Sequence, residues 1–79
     1  MSKYKLSLGI ARGILLAPRI EWQEGMEMES EIIPRGGELI KYNGLNKNIP
    51  SGEYEVTEVI HKVDKNNLVT IIVNAVKKL

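Results

Sequence analysis

A chain of 79 residues with no cysteine, one histidine and a net charge of +1 is one small domain, residues 1–79. It has no disulfide framework, no thiolate or His-rich metal centre, and no overall basic field for nucleic acid. Such a chain buries only about 60% of the surface it exposes when unfolded, so its core is thin and a self-contained enzyme is not expected; its 43% hydrophobic content is that of a globular domain and leaves a binding module, an inhibitor or a subunit of a larger assembly.

At the N-terminus, Tyr4, Leu6, Leu8 and Ile10 alternate with Lys3, Lys5, Ser7 and Gly9, the period-2 pattern of a half-buried strand. Gly13 allows a bend. The longest apolar run nearby, Ile14 to Ala17, is bracketed by Arg12 and Arg19. It is too short for a secretory signal, and no stretch nears the roughly 20 apolar residues that cross a bilayer, so no membrane insertion is expected.

Ile20 and Trp22 alternate, as do Met26 and Met28, with Gln23-Glu24-Gly25 between them. A three-residue loop with Gly25 in the left-handed region predicts a hairpin pairing Trp22 with Met26, Ile20 with Met28, Leu16 with Ile32 and Arg19 with Glu29. Pro34 ends that strand, Gly36-Gly37 make a turn, Glu38 to Tyr42 reads as a short strand, and Asn43-Gly44 opens a loop running to Gly52. The last third reads as a second hairpin: Glu53 to Val63 and Leu68 to Val76 are rich in Val, Ile and Thr, joined by Asp64-Lys65-Asn66-Asn67. Pairing Val63 with Leu68 sets Val59 opposite Ile72, His61 opposite Thr70 and Val56 opposite Ala75. Both faces of the last strand are then apolar, as in a central strand or one with an interface face. Strands at this spacing predict an all-β fold, a small antiparallel barrel or sandwich of about six strands, OB-like or SH3-like.

The residues that could carry chemistry do not form a catalytic set. His61 is the lone imidazole, and Ser7, Ser30 and Ser51 share no motif with it, so it reads as a structural residue of the ladder. Glu21, Glu24, Glu27, Glu29 and Glu31 crowd one segment without a base among them. They read as a solvated strand face, with Glu27, Glu29 and Glu31 able to steer a partner. Lys3, Tyr4, Lys5, Lys41 and Tyr42 put cations beside aromatic rings, the pairing used by single-strand-binding barrels, and nucleic acid is the alternative partner. No cofactor, metal or small-molecule substrate is expected.

The segment GEYEVTEVIHKVDKNNLVTIIVNA, with Gly52, Tyr54, Val56, Val59, His61, Asp64 and Thr70, resembles the closing segment of small barrel domains in phage tail and baseplate hub proteins. IEWQEGMEMES resembles the Trp-bearing strand that enters an early hairpin there. The resemblance implies a non-catalytic structural subunit of a phage-type tail, baseplate or head-to-tail connector, acting in the virion or host cytoplasm as a homo- or hetero-oligomer. Val69, Ile71 and Val73 are then the expected interface. A small phage-encoded inhibitor of a host protein is a further alternative, with the acidic segment mimicking nucleic-acid charge.

Overall fold

The computed structural model describes residues 2–12, 19–44 and 47–78. Five strands are present among the described residues: β1 (Ser2–Arg12), β2 (Arg19–Ser30), β3 (Leu39–Tyr42), β4 (Gly52–Val63) and β5 (Val69–Lys77). They form one sheet in the order β2-β1-β5-β4-β3. The fold is all-β, as the alternation requires. The sheet is mixed and not purely antiparallel, because β1 and β5 run parallel, from Lys5 opposite Ile72 to Gly9 opposite Val76. It is also open: β2 and β3 are its two edges and do not pair with each other among the described residues.

The core lies on one face. Tyr4, Leu6, Leu8 and Ile10 from β1 meet Tyr54 and Val56 from β4 and Val73 and Ala75 from β5, and the long loop after β3 drops Ile49 into the same cluster. The chain must cross from one edge to the other between β2 and β3. That passage carries Ile33 against the core. It ends in a turn where Glu38 N–H donates to the Arg35 carbonyl and the Glu38 carboxylate accepts from Arg35 N–H. The Tyr54 hydroxyl donates to the Pro50 carbonyl at 2.7 Å, and its ring meets Tyr42 edge-on at 6.4 Å. The loop is thereby tied to the strand that follows it.

The expected hairpin around Gln23-Glu24-Gly25 does not form. Its two halves are one strand, β2, with a β-bulge in which Glu24 and Gly25 stand opposite Ser7. Gly25 has the positive φ (+80°) expected of it, but in a bulge and not a turn. An inserted residue reverses the facing of everything beyond it. Met28 opposes Tyr4 and Met26 opposes Leu6 on the core face, whereas Trp22 opposes Gly9 and Ile20 opposes Ala11 on the outer face. In the backbone register Arg19 accordingly pairs with Arg12 and not with Glu29, while Glu29 and Glu27 face Lys3 and Lys5. Leu16 and Gly13 lie outside the described residues.

Gly9 is where the outer face closes. A Cβ there would stand 2.7 Å from Ile20 Cγ2 and 2.9 Å from the Trp22 ring. Only a residue without a side chain lets the indole lie on the strand. Gly9 is buried beneath these side chains, and Ser7 on the same strand is buried as well.

Two predictions follow the packing. Gly9→Val should destabilise by about 1–3 kcal/mol through overpacking. Trp22→Ala should relieve part of that cost in the double variant, the closer contact with Ile20 remaining, as read by urea unfolding followed by circular dichroism. The second concerns alkali. Burial pushes the Tyr54 phenol above its usual 10.0, with the Tyr42 phenol adding to the shift, and burial does the same to Tyr4. The folded state therefore keeps protons that the unfolded chain loses. The tyrosine contribution to stability should hold up to about pH 10 and fall as pH rises through the folded values. Tyr54→Phe should flatten that decline in unfolding titrations.

Candidate interaction surface

The last hairpin projects from the sheet as an arm. Pairing of β1 with β5 begins only at Ile72, and β3 covers β4 only from Gly52 to Glu55. The stretch that pairs His61 with Ile71, Lys62 with Thr70 and Val63 with Val69 is therefore two strands wide. The Cα radius of gyration is 13.5 Å and the long axis 43 Å, against about 12 Å for a compact chain of this length.

The turn at the tip explains the register. Asn66 and Leu68 N–H both donate to the Asp64 carboxylate, at 2.8 and 3.0 Å. Asn67 N–H donates to the Asp64 carbonyl, and Asp64 N–H to the Leu68 carbonyl. Asn67 sits at φ 64°, the left-handed conformation that asparagine tolerates best among residues with a side chain. This is a three-residue loop, Lys65-Asn66-Asn67, so Val63 pairs with Val69 and not with Leu68. The one-residue shift moves Val59 from Ile72 to Val73, His61 from Thr70 to Ile71 and Ile60 to Ile72. A second bulge, at Thr57, restores the expected pairing of Val56 with Ala75. It is held by the Thr57 hydroxyl donating to the Asn74 carbonyl and the Asn74 amide donating to Glu58.

The register sorts the expected contact residues. Val73 is fully buried, so β5 is a central strand and Val73 belongs to the core. Ile71 is half-buried against the core, and Val69 is 56% exposed. Val63 and Leu68, which pattern reading did not single out, are 61% and 65% exposed. Val63 pairs with Val69, and Leu68 precedes Val69 beside the turn, so the tip is apolar. Their signal lay in the turn: Asn67 at the left-handed position fixes which residues flank the loop.

Where β5 diverges from β1, a cleft of about 450 Å³ opens, lined by Lys3, Tyr4, Lys5, Glu27, Met28, Glu29, Val69, Thr70 and Ile71. Seven of the residues singled out in the sequence meet here. Glu31 lies apart, lining a second cleft with His61 and Arg35.

The aromatic–cation pairs are divided. Lys3-Tyr4-Lys5 lies on β1 and Lys41-Tyr42 on β3, at the far edge of the sheet. Tyr4 is in the core, and Tyr42 is half-buried against Tyr54. Neither ring lies flat and open as a stacking platform for a base. His61 is exposed on the arm. Among the described residues no group of three or more His, Asp or Glu side chains could hold a metal ion.

Comparison with known proteins returned no match to any family model, curated protein or solved structure.

The turn can be tested directly. Asn67→Gly should leave stability unchanged or slightly raised. Asn67→Ala should cost about 1 kcal/mol, with proton NMR showing loss of protection at Leu68 before residues of the core.

Proposed function

We propose that this chain is a non-catalytic structural subunit that works by protein–protein assembly. The observation that carries the reading is the arm. Val63, Leu68 and Val69, all more than half exposed, flank the turn at the end of a two-stranded projection. A two-stranded ribbon is marginal in water, and apolar side chains exposed at its tip gain from a partner that removes them from solvent.

The stretch that resembles phage tail and baseplate hub barrels, residues 52–75, is the same stretch that builds β4, the turn and most of β5. On that resemblance the assembly is read as a phage-type tail, baseplate or head-to-tail connector, in the virion or host cytoplasm. The closed barrel or sandwich expected of the sequence is read as a form completed between chains. The apolar tip supplies contact area, and the Lys–Glu rows of β1 and β2 supply orientation.

Sedimentation equilibrium tests this. The wild-type chain should show a mass above its 8.9 kDa at high concentration. Leu68→Asp combined with Val69→Asp should lower the average mass while leaving the circular dichroism spectrum and Tm within a few degrees. A wild-type chain that stays monomeric, or a double variant that assembles as well as wild type, overturns the reading.

A further inference from the structure

We infer that the partner is a second copy of this chain, joined by pairing the β2 edge of one copy with the β3 edge of the next. The inference rests on the assembly reading, in which the apolar tip is one contact, and adds a second contact with the identity of the partner and of the paired strands.

The two edges match in length, facing, direction and charge. The bulge at Gly25 interrupts β2, so the regular ladder available at that edge runs from Met26 to Ser30. β3 offers Leu39 to Tyr42. On the core face, Met26 and Met28 at one edge and Ile40 and Tyr42 at the other are partly buried apolar residues packed against the same cluster. The apolar row therefore runs out to both edges and stops there incompletely covered. On the outer face, β2 presents Glu27 and Glu29 while β3 presents Lys41, all exposed.

Direction follows from topology. β1, β5 and β3 run one way and β2 and β4 the other. A copy added beside β2 with its core face on the same side places its β3 antiparallel to β2. The register that fills the apolar row best sets Met28 opposite Ile40 and Met26 opposite Tyr42. It also sets Glu27 opposite Lys41 and Glu29 opposite Leu39. Opposite charges in directly facing pairs are favourable and like charges unfavourable. Pairing β2 with a second β2 about Met28 would instead oppose Glu27 and Glu29 twice over. The row of glutamates thus protects the edge against its own kind while admitting a strand that carries lysine. Joining unlike edges is a head-to-tail contact, which propagates into a ring or a filament.

The absence of cysteine makes the register testable by cross-linking. Facing Cβ atoms in such a pair are about 4.5–5.5 Å apart, close to disulfide reach. Glu29→Cys and Leu39→Cys leave Glu27 and Lys41 in place. Mixed and oxidised, the two single variants should give a disulfide dimer containing one of each, and neither alone should cross-link comparably. Adding Glu27→Lys to the first should lower the yield several-fold. Adding Lys41→Glu to the second should restore it.

Equal cross-linking of either variant with itself overturns the inference. So does an intramolecular disulfide in the chain carrying both cysteines, which would mean that the sheet closes on itself. Oligomers that persist without the mixed cross-link, or a yield indifferent to Glu27→Lys, overturn the edge pairing and leave the assembly reading standing. A monomer by sedimentation overturns both.

Discussion

The parallel ladder between β1 and β5 is the contact on which the rest of the structure depends. It spans only Lys5–Gly9 and Ile72–Val76. It nevertheless joins the N-terminal strand pair to the C-terminal three-stranded meander, of which the first alone would be a marginal two-stranded ribbon and each would hold only part of the core. Leu6 and Leu8 on one strand and Val73 and Ala75 on the other, all fully buried, face each other across it. A parallel pair needs a long connection, and here nearly the whole chain supplies it. Because the ladder starts only at Lys5 and Ile72, it also sets where the sheet ends, where the cleft opens and how far the arm projects.

Two bulges tune the faces of that sheet in opposite senses. In β4 the bulge at Thr57 keeps Tyr54, Val56 and Val59 on the core side although their spacing breaks alternation. In β2 the bulge at Gly25 splits residues that alternate without a break, sending Met26 and Met28 inward and Ile20 and Trp22 outward. The indole then needs a place on the outer face, and Gly9 provides it. The bulge and the second glycine thus belong to one arrangement: the first turns Trp22 outward and the second receives it.

The same arrangement leaves the molecule with unfinished surfaces. Its core face is covered by Ile33 and Ile49 from the two connections, yet both edges remain open and the arm carries apolar residues into solvent. A thin core combined with open edges and an apolar arm supports the proposed assembly, and Glu27 and Glu29 on one edge with Lys41 on the other give that proposal an order of joining.

Much of this architecture was legible in the sequence. Alternation located β1, β3, β4 and β5 to within a residue or two, because period 2 with Val, Ile and Thr is a local property. Gly25 was legible as a left-handed residue and Asp64–Asn67 as a turn. Local chemistry did not determine which three-residue loop turned the chain. The same rule applies to Gln23-Glu24-Gly25 and to Lys65-Asn66-Asn67, and only the second is a turn. The difference lies in tertiary pairing: β1 reaches past Gly25 on both sides and holds β2 straight, whereas no strand among the described residues pairs beyond Asn67 to do so. A one-residue register, and with it the burial of Val73 and the exposure of Val63 and Leu68, was decided there. The sequence by itself determined an all-β chain with a thin core and divided charge. The parallel β1–β5 contact, the open edges and the arm were decided by the tertiary structure, because they depend on which distant strands meet, and alternation is the same whichever neighbour a strand finds.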